Sequence, residues 1–319
     1  DIETFIPLLQ KHIKRTKPYI RQLLVGWVIV LDAVPDINML DYLPDFLEGL
    51  FNMLSDSNRE IKQAADNALG EFLREIKQAE VVEFGSMVNI LVSQSHSKER
   101  FNRFTAIVWL SEFIVLGGTR LLMQYSSILG SVISCISDTE TEIRTAAIEA
   151  NQHLLQLVRT TSTDFDLKPL LTTLIHQLTS DYMNTRVASL NWLYMLHERC
   201  DEDVNTQINI LLDPLLNALS DTSDDVVLAV LQVLGRICLD DSHFRHVVQS
   251  LVALLLTNRP LLETRGALII RKLCALLDGR RIYLQLASIV SIQTDLDFAS
   301  LFVQTLNLIL LTAPELQPL

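Results

Sequence analysis

Four cysteines occur in 319 residues, and no two of them form a CxxC pair. Cys135, Cys200, Cys238 and Cys274 sit in separate apolar segments. That spacing excludes a disulfide framework and a zinc ribbon, and fits small core residues in a reducing compartment. Glycine and proline are scarce, at ten and nine residues. Their scarcity excludes collagen, flexible linkers and long disordered stretches. Basic residues number 26 against 38 acidic ones, for a net charge of −12. Nucleic-acid binders need clustered Lys and Arg, so that class is set aside. No run of about 18 uncharged apolar residues suggests a membrane span. The chain opens on DIETFIPLL, with neither Met nor a leader pattern, and closes on ELQPL. Both ends read as cut from a longer chain.

What the chain does have is periodicity. Arg21, Lys62, Arg103, Arg144 and Arg186 recur at spacings of 41, 41, 41 and 42 residues. Val227 and Arg265 continue the column. Six residues after three of these markers stand Trp27, Trp109 and Trp192, the three tryptophans of the chain. Ten residues after the first six markers the side chain is always apolar: Leu31, Phe72, Phe113, Leu154, Leu196 and Ile237. Three columns in one register define a repeat. The tryptophans are expected in the core, where large and small residues alternate to keep packing dense.

Within a repeat the period is helical. Ile61, Ala65, Leu69, Phe72, Leu73 and Ile76 share one face, and Asp66, Glu71, Arg74 and Glu75 the other. Tyr42 to Leu54 forms a preceding helix, with Pro44 near its start. Ser-Asp turns separate the two helices at Ser55–Asp56, Ser137–Asp138, Ser180–Asp181 and Ser220–Asp221. The chain therefore reads as about eight helix pairs, spanning 1–34, 37–78, 81–117, 122–160, 166–199, 205–239, 242–278 and 282–313. No pair can bury its apolar stripe alone, so the pairs must stack. An all-α solenoid, a curved superhelical rod, is the expected fold.

Catalytic and metal constellations are not found. His243 and His246 share a helix face but have no ligand partner at metal spacing. Asp201–Asp203, Asp224–Asp225 and Asp240–Asp241 read as helix caps and solvated loops. Gly117–Gly118 reads as a helix C-cap. No GxSxG, HExxH or Cys–His pattern occurs, so neither an enzyme nor a cofactor is expected. Lys11, Lys14, Arg15 and Lys17 form the densest basic group. They are a candidate contact for an acidic partner or a lipid head group, set against a plain solvated helix end.

A 41-residue helix pair with a turn Asp and a base six positions later resembles the HEAT repeat. Asp56 with Lys62, Asp138 with Arg144, and Asp181 with Arg186 carry the likeness. It implies a ladder between repeats built from these residues together with Arg103, Asp221 and Arg265. Arg15 and Ser97 replace the acid and Val227 the base where the pattern lapses. Pro7 and Pro214 sit inside first helices, as HEAT units often have them.

Longer stretches are more specific. WVIVLDAVPDINMLDYLPDFLEGLF (Trp27 to Phe51), LLETRGALIIRKLCALL (Leu261 to Leu277) and DLDFASLFVQTLNLILLTAPEL (Asp295 to Leu316) follow one another in the order of a known family. They resemble the HEAT/armadillo-like vacuole-morphology scaffolds of PIKfyve-type phosphatidylinositol 3-phosphate 5-kinase complexes. That resemblance implies a non-catalytic scaffold. It would hold the kinase and a Sac-type phosphoinositide phosphatase together, regulating phosphatidylinositol 3,5-bisphosphate. It implies a cytoplasmic protein held indirectly on vacuole or late-endosome membranes. The resemblance implies that a C-terminal part, associated with multimerisation and partner docking, lies outside this chain, which is then expected to be the repeat arm and not the docking hub. From repeat period and acidity alone, a generic transport adaptor or karyopherin-like receptor is the alternative.

Overall fold

The computed structural model describes residues 2–35, 37–161 and 166–313. Asp1 and Asp36, and Pro314 to Leu316 of the last family-like stretch, lie outside them. Among the described residues the regular structure is helical, with no strand. The chain divides into two compact units, Asp1–Phe165 and Asp166–Leu319.

Unit 1 holds four pairs: α1 (Ile2–His12) with α2 (Pro18–Asp32), α3 (Leu43–Leu54) with α4 (Arg59–Gln78), α5 (Gly85–Gln94) with α6 (Arg100–Gly117), and α7 (Tyr125–Cys135) with α8 (Thr141–Thr160). In each pair a short apolar first helix is followed by a longer amphipathic one. Proline sits in the first turn of α2 and of α3, where its missing N–H has no helical partner to lose. Asn58 starts α4 by accepting a hydrogen bond from the Glu60 N–H. Gly49 brings α3 hard against Ile13; a Cβ there would sit 2.2 Å from the Ile13 Cγ1. α6 ends on Gly118, whose φ of 51° lies in the left-handed region that favours glycine.

Arg100–Cys135 is long and apolar enough to cross a membrane by length and composition. It is not one straight helix. It runs as α6, the 3-10 segment Gly118–Gln124 and α7, with Trp109, Phe113, Leu121 and Ile128 buried inside unit 1. The apolar run is core packing folded back on itself.

Unit 2 holds α9 (Lys168–Gln177) with α10 (Met183–Arg199), α12 (Ile208–Ala218) with α13 (Asp224–Ile237), α14 (Asp241–Thr257) with a second helix made of α15 (Arg259–Leu261), a π segment (Leu262–Gly266) and α16 (Ala267–Leu276), and α17 (Gly279–Ser291) with α18 (Leu296–Thr312). A short extra helix, α11 (Asp201–Thr206), precedes α12. Pro7 and Pro214 lie inside α1 and α12. Aspartates cap three late helices: Asp240 accepts from Ser242, Asp278 from Arg280 and Arg281, and Asp295 from Phe298. The core of each unit is the shared stripe of stacked pairs. α2 packs on α4 and α6 along α8 in unit 1, and α10 on α13 in unit 2.

Candidate functional site

The 41-residue column becomes a set of rungs, but not between the residues the turn spacing suggests. Asp56 and Asp138 do not pair through their carboxylates with Lys62 and Arg144 six positions after them, and Asp221 has Val227 at that place. Each takes the arginine of the preceding repeat, 35 residues earlier. Arg21 meets Asp56 at 2.5 Å, Arg103 meets Asp138 at 2.7 Å, and Arg186 meets Asp221 at 2.7 Å. The reason is directional. The turn aspartate caps its own helix start, accepting from the backbone N–H two residues on: Asn58, Glu140 and Ser223. Its other oxygen faces the previous repeat. The arginine, for its part, folds back on its own turn and donates to the carbonyl six residues earlier. Arg21, Arg103, Arg144 and Arg186 donate to Arg15, Ser97, Asp138 and Ser180 in this way. One guanidinium thus staples a turn and bridges to the next repeat, a geometry that suits a planar five-donor fork.

These rungs are shielded from water and charge-assisted. Burial raises the Asp138 carboxyl, but the Arg103 fork and the Glu140 N–H outweigh it and hold the group below the ordinary carboxylate range. Asp56 behaves alike: burial raises it, and the Asn58 N–H and Arg21 more than offset that. Asp181 is exposed and is not the partner of Arg186. Arg144 serves its own turn, also reaching the Thr139 carbonyl and the Thr141 hydroxyl. Lys62 forms no rung.

Arg265 works in the opposite direction. It stands in the π segment and reaches back to the Asp221 carbonyl at 2.7 Å, the Thr222 carbonyl at 3.1 Å and the Asp224 carboxylate at 2.9 Å. The forward rung is made instead by Arg259, which meets Asp295 at 2.5 Å and lies over the Phe298 ring. The extra residue of a π turn lets two arginines serve one repeat. The spacing from Val227 to Arg265, 38 residues instead of 41, was the available signal; Arg259 itself was missed.

The tryptophan column splits. Trp109 and Trp192 are buried, at 2% and 0% exposure. Trp27 is 42% exposed and so is not a core residue. Its ring meets Phe5 edge-on at 5.1 Å and shares an open apolar face with Tyr19, Leu23 and Val30. Its own helix places it as the others are placed, but burial comes from neighbouring side chains, and on this face they are few.

Of the basic group, Lys14 pairs with Glu48 on α3 at 2.5 Å, while Lys11, Arg15 and Lys17 are exposed. His243 lies 3.9 Å from Asp240, and no cluster of metal-ligating side chains occurs among the described residues. Cys135, Cys238 and Cys274 are buried; burial pushes the thiols of Cys135 and Cys238 up to about 12, far from reactive thiolates.

The last helix pair presents an exposed apolar surface suited to docking. α17 and α18 expose Leu284, Leu296, Val303, Leu308 and Leu311. A shallow groove of about 590 Å³ runs between them, lined by Tyr283, Ala287, Val303 and Asn307. Exposed apolar side chains so grouped are characteristic of interaction surfaces.

Residues 259–319, which include these helices, match the family model described as "Vacuolar protein 14 C-terminal Fig4p binding". Residues 106–251 match "Stalled ribosome sensor GCN1-like, HEAT repeats". Along its full length the chain is 49% identical to the Arabidopsis thaliana "Protein VAC14 homolog", covering 43% of that protein. It is 29% identical to the Schizosaccharomyces pombe "Protein VAC14 homolog", covering 48% of it. The "Vacuole morphology and inheritance protein 14" of Saccharomyces cerevisiae is 20% identical, with 49% of its length covered. The chain spans about half the length of these relatives or somewhat less. Stacked HEAT pairs, the alignment of this whole chain with part of each relative, and the match of its last residues to a VAC14 C-terminal model support a VAC14-type scaffold.

Proposed function

We propose that this chain is a scaffold segment that holds a Sac-type phosphoinositide phosphatase beside a phosphatidylinositol 3-phosphate 5-kinase, and so regulates phosphatidylinositol 3,5-bisphosphate. The observation that carries the reading is the match of residues 259–319 to a Fig4p-binding family model, on helices whose outer side chains are apolar. The chain itself does no chemistry in this reading. Stacked repeats supply a long surface on which different pairs hold different partners, and affinity comes from a few apolar anchors within it. The kinase, self-association through a further C-terminal part, and a peripheral place on vacuole or late-endosome membranes belong to the same proposal. A phosphatase-docking region inside α15 to α18 differs from a plain repeat arm with all docking beyond it.

The test is co-purification of the phosphatase with the full-length parent carrying Leu296→Asp and Val303→Asp. Loss of the phosphatase, with the thermal unfolding midpoint unchanged, supports the reading. Retention at the unmodified level overturns the assignment of docking to this surface. Recovery of neither enzyme by the unmodified parent would move the transport-adaptor alternative forward.

A further inference from the structure

One junction of unit 1 has no rung. Arg21–Asp56 ties the first pair to the second, and Arg103–Asp138 ties the third to the fourth. Between the second and third, the base is Lys62 and the residue 35 positions on is Ser97. Serine offers the cation no charge. Lys62 makes no ion pair among the described residues, and neither does Arg59 one turn before it. At this junction α4 and α6 stand apart, leaving a groove of about 420 Å³. That volume lies within the range of small-ligand clefts, enough for one or two side chains.

The groove's walls break the repeat pattern. Phe101 and Phe104 project into it from α6, 42% and 37% exposed. In the same register α4 and α8 carry Glu60 and Glu142, then Gln63 and Thr145. Two phenyl rings thus occupy positions that the neighbouring second helices fill with polar side chains. They are held outward by a buried polar clamp. The Ser55 hydroxyl donates to the Asn102 Oδ1 at 2.6 Å, and the Asn102 amide donates to Gln94 at 2.9 Å. Pinning Asn102 inward turns its neighbours Phe101 and Phe104 toward the gap. The Phe101 ring carries Lys62 5.0 Å from its centre and Arg100 at 4.6 Å.

Charge is divided across the opening. Arg59 and Lys62 line the α4 side, with Asp66 one turn beyond Lys62, so the positive part is its N-terminal half. Glu140 and Glu142 line the α8 side, where Arg100 meets Glu140 only at 3.9 Å. An occupant is therefore welcome to bring acid to α4 and not to α8. The apolar floor is a handful of side chains, far less than the roughly 800 Å² per partner of a folded–folded interface. A linear segment fits it; a second folded copy does not.

We propose that the α4–α6 groove binds a linear protein segment in which an apolar, preferably aromatic, anchor sits between Phe101 and Phe104 and adjacent acidic residues pair with Lys62 and Arg59. The partner supplies in trans the acid that Ser97 does not supply in cis. This site is separate from the α17–α18 surface and does not depend on the phosphatase reading.

The test uses the whole chain and a fluorescein-labelled peptide holding one tryptophan followed by three glutamates, read by fluorescence anisotropy. A control peptide has lysines for the glutamates, and another has serine for the tryptophan. The expected result is binding at least about tenfold tighter than either control. Phe104→Ser and Lys62→Glu should each weaken it by about tenfold or more. The double variant Lys62→Arg, Ser97→Asp should also lose binding, because it gives the cation an internal acid while keeping its charge. Lys62 and Ser97 are half-buried and break no ion pair when replaced, and circular-dichroism melting will report a fold like that of the unmodified chain. Equal binding of the glutamate and lysine peptides overturns the proposal. So does unaltered binding by all three variants, or concentration-dependent self-association in sedimentation that Phe104→Ser abolishes.

Discussion

Within each unit one junction lacks a standard rung, and the two are treated in opposite ways. In unit 2 the base is missing: Val227 stands where the others have Arg or Lys. The gap is filled from the next repeat, because the π turn at Leu262–Gly266 lets Arg265 reach back to two turn carbonyls and Asp224. In unit 1 the acid is missing at Ser97, and nothing comparable returns to Lys62. There the second helices part and a groove opens. A lost donor was replaced by a donor from elsewhere, whereas a lost acceptor left a cation facing solvent. The difference matters because an arginine reaches several carbonyls at once, while a half-buried lysine can pack its stem, sit over the Phe101 ring and keep its ammonium hydrated.

The sharpest way to test this contrast is to separate packing from rungs. Trp192→Ala should cost about 3–5 kcal/mol, since the side chain is fully buried, whereas Trp27→Ala should cost only about 1 kcal/mol, mostly its edge-on contact with Phe5. Chemical denaturation of the two variants measures both, and equal losses would erase the distinction between them.

Removing the borrowed donor comes next. Arg265→Ala should destabilise unit 2 by about 1.5–3 kcal/mol, the range for hydrogen bonds to a charged group. If the loss is no larger than for an exposed arginine such as Arg74, the back-reaching contacts do not substitute for a rung.

The rungs should also show in acid. The Asp138 carboxyl is held below its ordinary value, so its contribution is complete above a pH of about 4 and is lost as the pH falls through the folded value. Asp138→Asn should therefore lower the melting temperature at neutral pH, and the gap to the unmodified chain should narrow below pH of about 4. A gap that stays constant with pH would mean the carboxylate charge is not what matters.

Asp32 and Glu75 supply the opposite sign in the same unit. Burial, followed by their mutual proximity in the case of Glu75, raises both carboxyls. A raised carboxyl weakens the fold at neutral pH and relents as the pH falls through its folded value. Glu75→Gln should raise the melting temperature at pH of about 7, and the advantage should shrink in acid. A loss at neutral pH would show that Glu75 makes a favourable contact that outweighs its burial and the nearby Asp32 charge.

The smallest effect belongs to the open junction itself. Lys62→Ala should change stability by less than about 0.5 kcal/mol, because no rung is broken. Installing one with Lys62→Arg and Ser97→Asp should add about 0.5–1.5 kcal/mol. A large loss from Lys62→Ala would mean that an interaction other than its ring contact with Phe101 holds it.

Much of this was legible in the linear order. The 41-residue column locates helix pairs, because a stripe at period 3.6 can be buried in few ways. The lapse at Ser97 is visible by inspection, and so is the oddity of Phe104 where Gln22, Gln63 and Thr145 stand. The turn Asp and its base were both seen and read as a ladder between repeats, but which base meets which Asp was not. The true partner is 35 residues away, and spacing alone does not say which way a side chain points. Arg259 was hidden by a π turn, whose extra residue shifts the register without leaving a residue-type signature.

The sequence by itself determined the secondary structure, the pairing of helices, the core stripe and the family, since each follows from local periodicity or from similarity along the chain. Only the tertiary structure decided which charges meet, which tryptophan stays open and which junction becomes a groove. Those outcomes depend on what neighbouring repeats bring to a surface, and a side chain's own sequence context does not contain that information.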